Sequence, residues 1–170
     1  MDAGLKAELK QTKPFATLEE EAVLNIARTF AMLEHDLSQA LKPYDITPTQ
    51  YNVLRILRGA GDTGLCRNEI GGRLIRQVPD VTRLLDRMEE AGLIARERVG
   101  RDRRFVVTTI SKQGLSVLAK LDGEITAIHR RQLGHVDARS LRTLIALLTK
   151  IRRTLFFCPY KCYHTNCLNS

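Results

Sequence analysis

The tightest constraint on the fold is one change of hydrophobic period, at Gly92. Before it, Val81, Leu84, Leu85 and Met88 recur at the spacing of a helix with a single buried stripe, which leaves Thr82, Arg83, Asp86, Arg87 and Glu90 on the opposite face. After it, the pattern becomes two short strands, Leu93 to Val99 and Phe105 to Ile110, joined by Gly100-Arg101-Asp102-Arg103-Arg104. The hairpin has a basic tip, and the helix leading into it is opened by Pro79 and Asp80, an acid suited to the positive end of the helix dipole.

The remainder of the chain predicts helices with readable ends. Thr17-Leu18-Glu19-Glu20 has the form of a capping box, in which hydroxyl and carboxylate satisfy orphan backbone N–H groups. Val23, Ile26, Ala27, Phe30, Leu33, Leu37 and Leu41 follow at helical spacing, and Pro43 stops the run by excluding helical geometry at the residue before it. A second box, Thr47-Pro48-Thr49-Gln50, starts a helix through Tyr51, Val53, Leu54 and Leu57, ended by the turn Gly59 to Gly64. A short helix over roughly Arg67 to Leu74 precedes the one ending at Gly92. Beyond the hairpin, Ser111 caps a long helix with Leu115, Leu118, Leu121, Ile125 and Ile128 on one side. Asp137 caps another with Leu141, Leu144, Ile145, Leu148 and Ile151. Two helices separated by a brief turn, with a hairpin after the second, make a winged helix-turn-helix, so the fold class is mostly α with a small β-hairpin wing.

Charge narrows the partner. The 170 residues carry a net charge of +8, and its distribution matters more than its size. Residues 1–45 hold 5 basic against 8 acidic side chains, residues 66–104 hold 10 arginines against 7 acids, and residues 138–170 hold 6 basic residues and no acid. A polyanion surface is thus to be sought in the middle or the tail. No apolar run reaches the roughly 18 residues of a membrane span, and the first residues are polar, so neither a span nor a secretory signal is expected and the expected location is the cytoplasm.

A helix that reads DNA needs one buried face to set its angle and an opposite face of cations and hydrogen-bonding groups for base edges and phosphates. Thr82 and Arg83 lie in the N-terminal half, the part that enters the major groove. Arg83 is the first candidate for a base contact, to guanine, while Arg87 and Arg76 suit phosphates. The competing explanation is a solvated mixed-charge face shared with Asp86 and Glu90. The three arginines at the hairpin tip, Arg101, Arg103 and Arg104, weigh against it, because such a tip suits the electronegative minor groove.

The stretch Leu84 to Ile94, then Asp102-Arg103-Arg104, and then Thr109-Ile110-Ser111-Lys112-Gln113-Gly114 resembles the MarR family of bacterial transcription regulators, as does the opening Ile46 to Leu54. The resemblance spans roughly Ala22 to Ile151. It implies double-stranded DNA as partner and a homodimer whose N- and C-terminal helices interlock, each winged domain reading half of a palindrome. It also implies a possible small-molecule effector, held between the dimer helices and the winged domains, that releases DNA. Asp102 and Arg104 would pair to shape the wing, leaving Arg101 or Arg103 to probe the minor groove. The layout that follows is an arm and dimerisation helix over 1–45, the winged helix-turn-helix over 46–110, C-terminal dimerisation helices over 111–156, and a Cys-rich tail over 157–170. Two departures from the family pattern stand out. Gly71-Gly72 loosens the short helix by about 1 kcal/mol per glycine, and Cys66 stands where a capping Thr or Ser is commoner.

Cys158, Cys162, His164 and Cys167 place four potential metal ligands within ten residues. The spacing fits no common zinc finger, and metal binding, thiol-based sensing and a flexible extension all stay open. Cys66 reads as a small buried residue rather than a sensor. His35, His129 and His135 are scattered, and no Gly-rich phosphate loop, HExxH helix or nucleophile elbow occurs, so neither cofactor nor enzymatic activity is expected.

Overall fold

The computed structural model describes residues 4–98 and 106–156. The wing-tip residues Arg101, Asp102, Arg103 and Arg104, and the tail residues Cys158, Cys162, His164 and Cys167, lie outside the described residues. The chain packs as two compact units, Met1–Ile128 and His129–Ser170.

The first unit begins with α1 (Leu5–Glu8) and α2 (Leu18–Leu41). Thr17 caps α2 by accepting the Glu20 N–H at 3.1 Å, while the Glu20 carboxylate takes the N–H of Ala16 at 2.7 Å rather than that of Thr17. The α-helix ends at Leu41, but Pro43 does not exclude helical geometry before it as expected: Lys42 keeps φ −53° and ψ −45°, and Pro43 sits in the 3-10 turn Lys42–Tyr44 that follows. At α3 (Pro48–Ala60) the second box forms reciprocally: Gln50 N–H donates to Thr47 Oγ1 at 3.2 Å and Thr47 N–H to Gln50 Oε1 at 2.8 Å.

A strand that sequence periodicity missed, β1 (Leu65–Cys66), precedes α4 (Arg67–Arg73) and α5 (Val81–Glu90), and β2 (Ile94–Arg98) and β3 (Val106–Ile110) then make the hairpin. The described sheet has three antiparallel strands in the order β1-β3-β2, with Ile94 opposite Ile110, Arg98 opposite Val106 and Leu65 opposite Thr108. Two residues are too few to show an alternation, so β1 had no signature; its partner β3 defines it.

The core lies where α3, α4, α5 and α6 (Lys112–Leu133) converge on the sheet. Leu41, Val53, Leu54, Leu57, Ile70, Leu85, Met88, Leu118 and Leu121 are fully buried there, each contributing about 1.5–3 kcal/mol relative to an exposed side chain. The stripe expected on α6 is rotated at its start. Leu115 is 43% exposed, and Gly114 occupies the inward position ahead of Leu118, Leu121, Ile125 and Ile128. The physical reason is the cap. Ser111 Oγ donates to the carbonyl of Gly92 at 2.6 Å and accepts the N–H of Gly114 at 3.0 Å, which seats the first turn of α6 against the end of α5.

Much of α2 is uncovered within the chain: Val23, Ile26 and Phe30 are exposed, and burial is complete only at Ala40 and Leu41. The second unit holds the last turn of α6 and α7 (Ala138–Phe156). Asp137 caps α7, accepting from the Ser140 hydroxyl at 2.6 Å and from the N–H groups of Arg139 and Ser140 at 2.8 and 3.1 Å. The Ser140 hydroxyl, with these backbone donors, holds the Asp137 carboxyl below the usual carboxylate range. Leu144, Ile145, Leu147, Ile151 and Leu155 on this helix are exposed.

Candidate nucleic-acid interface

Helix α5 is set by its two ends. Asp80 caps its start, accepting the Arg83 N–H at 2.9 Å, and Pro79 lies ahead of the cap rather than in the first turn. Gly92, at φ 70°, closes the other end: Gly92 N–H reaches the Glu89 carbonyl at 2.8 Å and Leu93 N–H the Met88 carbonyl at 2.9 Å, a Schellman arrangement that turns the chain into β2. Leu85 and Met88 are buried and Val81 and Leu84 half-buried, so the stripe read from the sequence is the one that packs. The turn between α4 and α5 is pinned from α3, where Asn52 Oδ1 accepts the Ile75 N–H at 2.9 Å.

Thr82, Arg83 and Arg87 come together on the exposed arc of α5. Of the two acids in the mixed-charge face that competed with the DNA reading, Glu90 is exposed on α5 and Asp86 pairs with neither Arg83 nor Arg87. Arg96, on β2, reaches back to the helix instead: its Nη2 lies 2.6 Å from Asp86 Oδ1 and from Glu89 Oε2, and its Nε donates to Glu89 at 2.7 Å. Glu89 foremost, and Asp86 with it, raise the pKa of Arg96, whose side chain is only 22% exposed. One guanidinium thereby engages two carboxylates of α5 from the strand side, and Arg83 and Arg87 have no carboxylate within ion-pair distance among the described residues.

Arg76 is placed differently from Arg83 and Arg87. Its guanidinium is 2.9 Å from both carboxylate oxygens of Glu34 on α2 and stands 5.7 Å from the centroid of the Phe30 ring. A phosphate contact by Arg76 would compete with that pair. The structure also adds a residue that sequence reasoning missed: Arg67, the first residue of α4, is exposed and donates through Nη1 to Thr82 Oγ1 at 3.1 Å. Fifteen positions separate the two, and only the angle between the helices brings them together.

Cys66 is half-buried at the start of α4. The Glu69 carboxylate accepts its backbone N–H at 2.9 Å, and that bond, helped by the thiol, holds the Glu69 carboxyl below the usual range. The helix expected to be weakly capped thus has half of its cap supplied from Glu69. Among the described residues no three His, Cys, Asp or Glu side chains are grouped to hold a metal ion.

The MarR family model matches residues 46–106, from the end of the turn before α3 to the start of β3. The chain is 31% identical over 108 residues to YkoM of Bacillus subtilis, an uncharacterised HTH-type transcriptional regulator, across 61% of this chain and 68% of that protein. It is 34% identical to the MarR transcription factor from Planctomyces limnophilus, whose crystal structure superimposes with a TM-score of 0.62 over 80% of this chain and 98% of that one. The chain belongs to the MarR family. Its winged helix-turn-helix is shared by MepR of Staphylococcus aureus, solved as a complex with DNA, at a TM-score of 0.71 and 22% identity over 78% of this chain and 96% of that one. In MarR-family terms α4 and α5 are the helix-turn-helix of a transcriptional regulator and β2–β3 its wing.

Proposed function

We propose that this MarR-family regulator is a homodimeric, cytoplasmic repressor that binds a palindromic DNA operator and is released from it by a small-molecule effector. Each protomer lays the N-terminal half of α5 in the major groove, with Arg83 forked onto a guanine and Thr82 beside it. Arg87 takes a phosphate, Arg76 does so only by exchanging Glu34 for it, and the hairpin tip, with Arg101 or Arg103 probing and Asp102 paired to Arg104, enters the minor groove. Residues 46–110 are the DNA-binding region, 1–45 and 111–156 supply the dimer helices, and 157–170 form an appended tail. The chain acts by binding and catalyses no reaction.

The observation that carries this reading is that Arg83 and Arg87 are exposed on α5 without an ion pair among the described residues, Asp86 and Glu89 being engaged by Arg96. The DNA-bound state of MepR, which shares the fold, supports it. The apolar side chains left exposed on α2 and α7 support a second copy as their cover. No described helix is long and apolar enough to cross a membrane, which accords with a cytoplasmic location. The test is selection of bound sequences from random DNA with the pure protein, followed by Arg83→Ala. A palindrome is expected, and affinity for it should fall about tenfold or more in the variant with the dimer intact. Unaltered affinity at moderate salt would remove α5 from the interface.

A further inference from the structure

We infer that Arg67 is a positioning residue for sequence reading, orienting the Thr82 hydroxyl so that it donates a hydrogen bond to a base in the major groove. The inference rests on the DNA-binding reading above and concerns how that same face discriminates sequence.

A threonine hydroxyl has one proton and two lone pairs. Inside helices it commonly spends the proton on the carbonyl four residues back, and Thr126, Thr143, Thr149 and Thr154 of this protein do so at 2.7, 3.1, 2.8 and 3.2 Å. Thr82 does not. It is the second residue of α5, and four positions back the chain is still in the turn, so no helical carbonyl lies beneath it. Its one hydrogen bond among the described residues is the one it accepts from Arg67 Nη1 at 3.1 Å. That bond occupies a lone pair, restrains the side chain and leaves the O–H directed elsewhere, on an exposed residue in the part of α5 that leads into the groove.

A donor there meets the major-groove acceptors: guanine N7 and O6, adenine N7 and thymine O4. Without Arg67 the hydroxyl can rotate and serve as acceptor or donor alike, and the preference for an acceptor-bearing base is lost. Arg67 also donates through Nη2 to Asn68 Oδ1, at 3.4 Å, so both terminal nitrogens of the guanidinium are engaged. Arg67 therefore acts on base choice through Thr82, which sets it apart from an arginine that merely neutralises a phosphate.

The experiment measures affinity of the full-length protein for its selected operator and for operators with each base pair replaced in turn, at several salt concentrations. The variants are Thr82→Val, Thr82→Ser, Arg67→Ala, Arg67→Ala with Thr82→Val, and Arg83→Ala. Thr82→Val should flatten the preference at one base pair about five- to tenfold. Arg67→Ala should flatten the same base pair, and the double variant should lose no more discrimination than Thr82→Val alone. Thr82→Ser, which keeps the hydroxyl, should retain the preference. Uniform weakening of all operators by Arg67→Ala, with a salt slope about one unit shallower and every base preference intact, would make Arg67 a phosphate contact and overturn the inference. So would Arg67→Ala altering a base pair different from that altered by Thr82→Val. If the inference alone fails, Arg83→Ala still loses binding; if Arg83→Ala binds as the wild type does, the placement of α5 in the groove fails with it.

Discussion

At Gly114 a side chain would have nowhere to go: a Cβ built there falls onto the carbonyl of Leu93 and lies 2.9 Å from Ile110 Cγ1 and 3.1 Å from Leu54 Cδ2. Gly114→Ala should therefore lower the urea midpoint by the equivalent of about 1–3 kcal/mol, the usual cost of overpacking. Gly72 is the opposite case, with nothing within 4 Å of its Cβ position. Gly72→Ala should raise stability by about 0.5–1 kcal/mol through helix propensity. A Cβ built at its neighbour Gly71 would lie 3.3 Å from Val81 Cγ2 of α5, so that glycine has a packing reason the sequence did not disclose. Arg83 and Arg87 were legible from helical spacing. Arg96 was not, because its pairing with Asp86 and Glu89 exists only once β2 has folded back along α5. Arg96→Ala frees both carboxylates beside the cationic face and should weaken operator binding about three- to tenfold in a gel-shift titration, although Arg96 lies on the strand side. Equal affinity would show that these acids do not act on that face.

Among the elements, the helices with a strong cap and an unbroken stripe were readable to within a residue or two, because caps and periodicity are local. Thr47 and Gln50, Asp80 with Gly92, and Ser111 each act where the sequence placed them. Strand β1 and the short helix α1 were not readable: one has two residues and the other four, too few for a period. The cap of α7 carries a pH dependence. The Asp137 carboxyl is held below its unfolded value, so the folded chain binds that proton less readily than the unfolded one. Its contribution is complete above the ordinary carboxylate range near pH 4 and disappears as pH falls through the lowered value. Asp137→Ala should lower the urea midpoint at pH 7. The gap to the wild type should hold down to about pH 5 and close below pH 4. A gap unchanged at acid pH would separate the cap from its charge.

For the molecule as a whole, a single chain leaves Ile26 and Phe30 on α2 and Leu144, Ile145, Leu147 and Leu155 on α7 without cover, and the proposed dimer predicts that they are buried in solution. Ile145→Glu should convert the protein to a monomer by sedimentation and lower affinity for a palindrome about a hundredfold or more, since the second half-site would no longer be bound intramolecularly. A monomer that retained full affinity would refute the dimeric mode. At this scale the division between chain order and three-dimensional packing is plain. The helix-turn-helix order, the change of period at Gly92 and the cationic residues of α5 follow from rules that act over a few residues, so they stand in the chain to be read. The inward position of Gly114, the third strand, the diversion of Arg76 to Glu34, the capture of Asp86 and Glu89 by Arg96 and the meeting of Arg67 with Thr82 depend on helices and strands far apart in sequence being docked at particular angles. Ion pairs and hydrogen bonds fall off within a few ångströms, and only packing sets distances that small between segments the chain itself holds apart.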